Sequence, residues 1–143
     1  MLSRLAYSAA ASTTGKTVSS VGSLVLWWGI ANWAPRIWHL NGVLDADPQL
    51  SAFPYRFRVL AVSDGTATVT SPRTPDMPAV RFLGILRPEL ASRREDDPAV
   101  VAAQQHLAAV QGRARDLLLA QPEVHEVHWV LDRDWYRQRG IAP

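Results

Sequence analysis

The chain has 143 residues, which is enough for one domain of ordinary size. Its 15 Lys and Arg residues against 13 Asp and Glu residues give a net charge of +2, without the large basic excess of a dedicated nucleic-acid neutraliser. With 48% hydrophobic residues and no cysteine, the composition excludes a wholly disordered chain, a disulfide scaffold and a thiol-ligated metal centre.

The charges are distributed unevenly along the chain. The first 40 residues hold three basic side chains and no acidic one, and the first carboxylate is Asp45. Residues 41–143 hold 12 Arg and 13 acidic residues, which is a net charge of −1. Four of the six Trp residues also precede residue 40. Two differently composed segments therefore share the chain.

Residues 1–16 are rich in Ser, Thr and Ala, and they carry Arg4 and Lys16 without an acidic residue. This composition is typical of mitochondrial targeting sequences. We interpret the segment as an address of that kind, either cleaved or retained.

A run of 19 uncharged residues, from Thr17 to Pro35, follows the address. As a helix it is roughly 28 Å long, close to the bilayer core of about 30 Å. We therefore predict a single transmembrane helix over residues 17–38, with its orientation left open. A cleaved signal peptide or an amphipathic surface helix is the alternative, although the residues after the apolar core are bulkier than a cleavage site requires.

Several side chains of this segment suit a membrane or another helix. Small residues let helices approach closely, an Asn requires a polar partner, and Trp is enriched at the membrane–water interface. The residues that we assign to membrane contact or helix packing are Ser19, Gly22, Ser23, Trp27, Trp28, Asn32, Trp33 and Trp38.

The next segments predict a linker and a β-hairpin. Residues 39–54 contain one Gly and two Pro residues and are interpreted as a linker. The alternation from Tyr55 to Val62 predicts a strand, with Tyr55, Phe57 and Val59 on one face. Asp64–Gly65 predicts a tight turn, and a second strand is expected from Thr66 to Thr70.

The second half of the domain begins with a loop that contains three prolines. A third strand is expected from Ala79 to Leu86. Asp97 and Pro98 predict a helix start, and apolar residues then recur at steps of three and four until the helix ends near Pro122. Val124 to Leu131 predicts a fourth strand, and the C-terminus a short helix or coil. This order indicates an α+β or small barrel-like domain.

The order of strand, Asp-Gly turn, strand, proline-rich loop and VRFLGILRPE (residues 80–89) resembles the staphylococcal-nuclease-like, or thermonuclease, family. Members of that family carry a DGDT turn and a VRLxGIDxPE segment, and Arg81, Gly84, Pro88 and Glu89 fall in register with the latter. The resemblance covers about residues 55–137. It implies an OB/SNase-like β-barrel with a packing helix over residues 55–143.

The resemblance also implies Ca²⁺-assisted phosphodiester hydrolysis, in which carboxylates hold the ion and an arginine stabilises the charge that develops on phosphate. Two expected ligand positions lack a carboxylate, since Thr66 and Leu86 occupy them. We therefore predict no catalytic residue, no metal and no cofactor. Four residues would remain as degenerate remnants, two of them, Arg81 and Glu89, as a structural ion pair. These remnants are Arg81, Glu89, Arg137 and Asp64.

Three other constellations are weaker. His125 and His128 are three residues apart and would point to opposite faces of a strand, so we interpret them as polar strand residues rather than metal ligands. Asp132 and Asp134 are interpreted as partners of the neighbouring arginines rather than as a catalytic pair. Arg56 and Arg58 are interpreted as residues of a solvent-exposed face. A nucleic-acid-binding surface is the less favoured alternative for them.

These patterns predict a non-catalytic accessory or structural subunit of a membrane protein complex, foremost a mitochondrial inner-membrane respiratory complex or ATP synthase. Its expected partners are the other subunits and the lipid bilayer. The alternatives are a membrane-anchored Ca²⁺-dependent nuclease and a tethered module that binds nucleic acid or peptide. Nucleic acid is the least favoured partner, because the domain's net charge of −1 opposes electrostatic capture.

Overall fold

The computed structural model describes residues 34–142. The predicted address, and the predicted anchor as far as residue 33, lie outside this range. So do the proposed packing residues from Ser19 to Trp33. In the range that is described, no helix has both the length and the apolar character needed to cross a bilayer.

The described chain alternates helices with a small sheet. Residues 34–46 are helical and are called α1; they are followed by α2 (Pro48–Ala52), β1 (Val59–Ser63), β2 (Thr66–Ser71), α3 (Ala79–Leu86), a 3-10 turn (Pro88–Leu90), α4 (Pro98–Leu119), β3 (Glu126–Leu131) and α5 (Arg133–Arg137).

The sheet has the order β1-β2-β3. β1 pairs with β2 in antiparallel orientation, and β3 pairs with the other side of β2 in parallel orientation. The predicted α+β class is therefore confirmed. Across residues 34–142 the sheet is open, with β1 and β3 at its edges, rather than closed into a barrel.

Several predicted elements are confirmed. The hairpin turns at Asp64 and Gly65, both of which have positive φ, as a tight turn between twisted strands requires. The side chain of Asp97 caps α4, and Pro98 is its first residue. β3 and the short C-terminal helix α5 also occur where the pattern places them. One face of α4 is buried at the predicted spacing; its buried residues are Val100, Ala103, Leu107, Val110, Ala114 and Leu118.

The third predicted strand is wrong, because residues 79–86 form α3. The buried residues Ala79, Phe82 and Leu83 are spaced as on one face of a helix, and a short apolar run does not by itself distinguish a helix from a buried strand. Both edges of β2 are already paired, with β1 and with β3. The sheet therefore has no vacant position beside β2 for this segment.

The segment interpreted as a linker, residues 39–54, is mostly helical and contributes to the core. Leu40 and Leu44, one turn apart on α1, are almost completely buried, and so are Leu50 and Phe53. Pro48 begins α2 rather than breaking a helix, because its missing N–H is not needed in the first turn. The N-terminal helices are therefore packed parts of the domain.

α1 lies along the free edge of β1. The carboxamide of Asn41 accepts from the N–H of Val59 at 2.9 Å and donates to its carbonyl at 3.1 Å. One turn later, Asp45 forms ion pairs with Arg58 at 2.8 Å and Arg56 at 3.3 Å. Residues later in α1 therefore contact residues earlier in the strand segment, which means that α1 runs antiparallel to β1. The helix thus satisfies an edge that would otherwise be open to strand pairing.

A buried carboxylate joins α2 to α4. Asp47 is 6% exposed, and one of its oxygens accepts from the amides of Gln49 and Leu50, both at 3.1 Å. The other oxygen accepts from Nε and Nη2 of Arg113, at 3.0 and 2.8 Å. Burial alone would raise the pKa of Asp47, but the Arg113 guanidinium and the two amides outweigh burial and hold the pKa below its ordinary value.

We expect Asp47→Asn to lower the free energy of unfolding by about 1–3 kcal/mol, because it removes a charge-assisted hydrogen bond and weakens the cap of α2. Urea denaturation measures this loss. Asp45→Asn is the matched control, since it removes a carboxylate from exposed ion pairs that are worth about 0.2–1 kcal/mol. Equal losses in the two variants would contradict the role given to Asp47.

The Asp47 contribution should also depend on pH. The folded-state pKa is lowered, so the stabilisation is complete above the unfolded-state pKa of about 3.9 and disappears as pH falls through the folded-state value. The difference in unfolding free energy between wild type and Asp47→Asn should therefore shrink as pH falls below about 4. A difference that stays constant on acidification would refute this linkage.

Two glycine substitutions, one in the hairpin turn and one in α1, should have opposite effects on stability. Gly65 has φ +79°, and a Cβ placed there would lie 2.6 Å from Cδ2 of His125, so Gly65→Ala should destabilise the protein by about 1–2 kcal/mol. Gly42 lies in α1, and a Cβ placed there would meet nothing within 4 Å, so Gly42→Ala should stabilise by about 0.5–1 kcal/mol. Thermal unfolding of both variants checks the opposite signs.

Candidate functional site: an arginine-lined groove

A groove of about 340 Å³ lies at the carboxyl ends of β2 and β3. One wall is the loop of residues 72–78 with the start of α3, and the other is the end of β3 with the start of α5. Its lining residues, which define the arginine groove, are Thr74, Asp76, Met77, Pro78, Arg81, Leu131 and Arg133.

Hydrogen bonds from Tyr136 and Ser71 hold the loop wall of the groove in place. The hydroxyl of buried Tyr136 donates to the carbonyl of Pro72 at 2.5 Å and contacts Sδ of Met77 at 3.2 Å. The hydroxyl of Ser71 donates to the carbonyl of Arg73 at 2.9 Å. Three prolines restrict the same segment. The groove is therefore bordered by a constrained loop.

The opposite wall is held by the cap of α5. Asp132 accepts from the amide of Trp135 at 2.9 Å and from the hydroxyl of Tyr55 at 3.0 Å. Burial, with a contribution from the Asp132 carboxylate, raises the pKa of Tyr55 far above its ordinary value, so this phenol stays a neutral donor. The Trp135 ring packs against Phe82 with centroids 5.4 Å apart, and the Arg139 guanidinium lies 3.8 Å from the Trp135 ring centroid.

Two arginine side chains line the groove, and both residues lie in the first turn of a helix. Arg81 is the third residue of α3 and donates to the carbonyl of Ala142 at 2.6 Å. Arg133 is the first residue of α5, is exposed, and has no hydrogen-bond or ion-pair partner among residues 34–142. A cation in a first turn opposes the helix dipole, at a typical cost of about 0.3–1 kcal/mol. Helix stability therefore does not account for these two arginines.

The groove is a cationic environment with an apolar side. Asp76 is the one acidic residue in its lining, against the two arginines. The positive charge of Arg81 also acts on the buried phenol of Tyr136, whose pKa is raised by burial and lowered in part by that charge. Guanidinium groups bind carboxylate and phosphate in bidentate geometry. The arrangement suits an anionic group that has an apolar part beside it.

The structure separates the predicted nuclease remnants. Asp64 precedes β2 at the hairpin turn, whereas Arg81 lies beyond the other end of β2, in the groove that also contains Leu131. A strand of six residues spans roughly 17 Å. Asp64 and Arg81 are therefore at opposite ends of the sheet and do not form one site.

The other remnants have local roles. Glu89 is exposed on the 3-10 turn beyond α3, and the expected ion pair with Arg81 is wrong, because Arg81 donates to the backbone near the C-terminus. Arg137 pairs with Asp134 one turn away, as predicted for Asp134. The same prediction is wrong for Asp132, which accepts from Tyr55 and Trp135 rather than from an arginine.

The two positions without a ligand carboxylate are also distant from each other. Thr66 begins β2 and donates to Glu126 of β3 at 3.4 Å. Leu86 ends α3 and packs against the core.

The two predicted strand histidines and Trp38 lie at separate places in the structure. His125 precedes β3 and lies beside Gly65, while His128 is exposed on β3. Within residues 34–142, no group of three or more His, Asp or Glu side chains is arranged to hold a metal ion. Trp38, one of the predicted membrane-contact residues, is 74% exposed on α1.

Sequence reasoning missed Arg133 and the groove itself. The sequence contains one signal for it, which is that both arginines stand near the start of a helix. Arg81 is two residues after Ala79, and Arg133 directly follows Asp132. The expectation of a strand over residues 79–86 conceals that signal. No protein-family model matches this sequence, and comparison with curated proteins and with solved structures gives no match.

We expect Arg133→Ala to weaken binding of a fluorescein-labelled oligoglutamate peptide by about fivefold, because it removes the unpaired cation of the groove, worth about 1 kcal/mol. Fluorescence anisotropy at low and high salt measures this change. Arg115→Ala is the control, since Arg115 is an exposed arginine on α4 outside the groove and its loss changes the net charge equally. Equal weakening in both variants would show non-specific attraction only.

Proposed function

We propose that this chain is a non-catalytic accessory subunit of a membrane protein complex, anchored by residues 17–38 and presenting its α+β domain beside the membrane. The acid-free composition of residues 1–44 supports a mitochondrial inner membrane, and respiratory complexes and ATP synthase are the assemblies that we favour. The proposed span, location and complex rest on this composition.

The observation that carries the proposal is the way α1 is held. Asn41 pairs with the backbone of Val59, Leu40 and Leu44 are buried, and Asp47 binds Arg113. No stretch of flexible composition and irregular structure separates residue 34 from the core. An anchored enzyme gains reach from a flexible tether, whereas a subunit that contacts fixed neighbours benefits from a domain held in one orientation.

The positions of the remnants support a non-catalytic role. Groups that act together on one phosphodiester must lie within hydrogen-bond reach of the reacting atoms, about 3 Å. Asp64 and Arg81 are separated by the length of β2. The likeness of residues 55–143 to thermonucleases stays a proposal that rests on the Asp-Gly turn and the spacing of Arg81 and Glu89. The open sheet and α3 count against the barrel.

The arginine groove favours a second candidate, a tethered module that binds an acidic peptide segment. Its two cations and apolar side offer sites for a carboxylate and a neighbouring aliphatic group. The two candidates are compatible, because the acidic segment would belong to another subunit. A long nucleic acid fits less well, since the domain as a whole has a net charge of −1.

Affinity purification from detergent-solubilised native membranes tests the main proposal. We expect the tagged chain to co-purify in fixed stoichiometry with one set of subunits and to migrate with them as a large species on a native gel. Arg133→Ala should weaken this association at high detergent stringency, and Arg115→Ala should not. Migration as a free monomer would contradict the proposal.

The nuclease alternative has its own measurement. Ca²⁺-dependent cleavage of single-stranded DNA by the purified protein, lost in Arg81→Ala and kept in Arg115→Ala, would overturn the non-catalytic assignment. We expect no cleavage above the background of either variant.

A further inference from the structure

The two most exposed large apolar side chains among residues 34–142 are Trp38, at 74%, and Leu60, at 50%. Trp38 is on α1 and Leu60 is on β1, the two elements that Asn41 joins. Exposure of single apolar residues is ordinary, but two large ones on one surface indicate a contact site.

Leu60 is exposed because of a β-bulge. In the ladder between β1 and β2, Val59 pairs with Val69 and Ala61 pairs with Thr68, so the register shifts at Leu60. A bulge leaves one residue unpaired and redirects its side chain. On either side of the bulge the strand is fixed, by Asn41 at Val59 and by the ladder at Ala61.

The antiparallel course of α1 along β1 places Trp38 and Leu60 on the same side of the Asn41–Val59 contact. Trp38 precedes Asn41 by three residues, which is roughly 4.5 Å toward the start of α1. Leu60 follows Val59 by one residue, which is roughly 3.3 Å in the same direction. Both side chains therefore lie just beyond the Asn41–Val59 contact, on the exposed edge of the domain. We call these two residues the bulge patch.

The position of the patch in the chain indicates what covers it. The uncharged run ends at Pro35, and Trp38 lies roughly 4.5 Å further along a helix. The interfacial layer of a bilayer is about 5–7 Å thick on each side of the hydrocarbon core. Arg36, which is exposed on another face of α1 one residue after the uncharged run, adds a cation suited to anionic headgroups. A Trp, a Leu and an Arg at that depth match the chemistry of the lipid interface.

We propose that the bulge patch rests in the interfacial layer of the bilayer and thereby orients the domain on the membrane, an inference that rests on the proposed anchor. In this orientation the start of α1 lies nearest the lipid. The far end of α4 points away from it: Gln121, beyond the end of α4, contacts His39 at 3.2 Å, and Val101 lies roughly 27 Å back along the helix from Leu119.

The absence of cysteine from the chain makes a site-specific test direct. The full-length protein carries Leu60→Cys, labelled with an environment-sensitive fluorophore, in nanodiscs of phosphatidylcholine and cardiolipin. Val101→Cys is the matched control, because Val101 is also an exposed aliphatic residue, at 38%. We expect the label at 60 to be quenched by headgroup nitroxides and to be several-fold less sensitive to aqueous iodide than the label at 101.

Each other outcome is decisive. If both labels respond equally to iodide while the protein stays in the disc, the inference about the bulge patch is wrong and the anchor proposal stands. If the protein does not enter discs, both are overturned. If the label at 60 is shielded in native membranes but not in lipid alone, a protein partner covers the patch and the lipid inference is wrong. Trp38→Cys repeats the measurement, and urea unfolding of each labelled variant verifies that the fold is kept.

Discussion

The buried carboxylate of Asp47 joins two helices of this domain, α2 and α4. A charge removed from water must be matched by donors, and here four N–H groups converge on it: the amides of Gln49 and Leu50, and two from Arg113. Because the first two belong to α2 and the other two to α4, the helices must keep one relative position. α1, which ends one residue before Asp47, lies against the edge of β1, where Asn41 satisfies the backbone N–H and C=O of Val59.

The start of α1 and the arginine groove lie at opposite ends of the sheet. α1 starts beside the hairpin end of β2, because it runs antiparallel to β1, and β1 is antiparallel to β2. The arginine groove lies at the other end of β2, roughly 17 Å away. Leu60 lies beside Thr68 and Val69, at the middle of β2, so the bulge patch is between these two ends. On an anchored chain the start of α1 would be nearest the lipid, and Arg81 and Arg133 would lie beyond the opposite end of β2.

The separation of the two ends also explains why a nuclease-like pattern does not give a nuclease-like site. The resemblance to thermonucleases implies a third strand over residues 79–86 and a single site that contains Asp64 and Arg81. The chain instead places β3 on the free side of β2, in parallel, and uses α3 and α4 as the crossover. A parallel connection needs such a crossover, and its first helix begins beyond the end of β2 that is opposite the hairpin, so Arg81 stays distant from Asp64.

The elements that could be predicted from the sequence are those whose signals are local. The Asp97–Pro98 cap and the apolar spacing of α4, the turn at Gly65, and the inward face that begins at Tyr55 all follow from the chemistry of adjacent residues. Three matters depend on tertiary contacts: that residues 79–86 are helical, that residues 39–54 belong to the core, and that Arg133 meets Arg81 in a groove. The physical reason is the same in each case. A short apolar run, a proline or a lone arginine fits several local structures, and only partners distant in the chain, such as Arg113 for Asp47, select one of them.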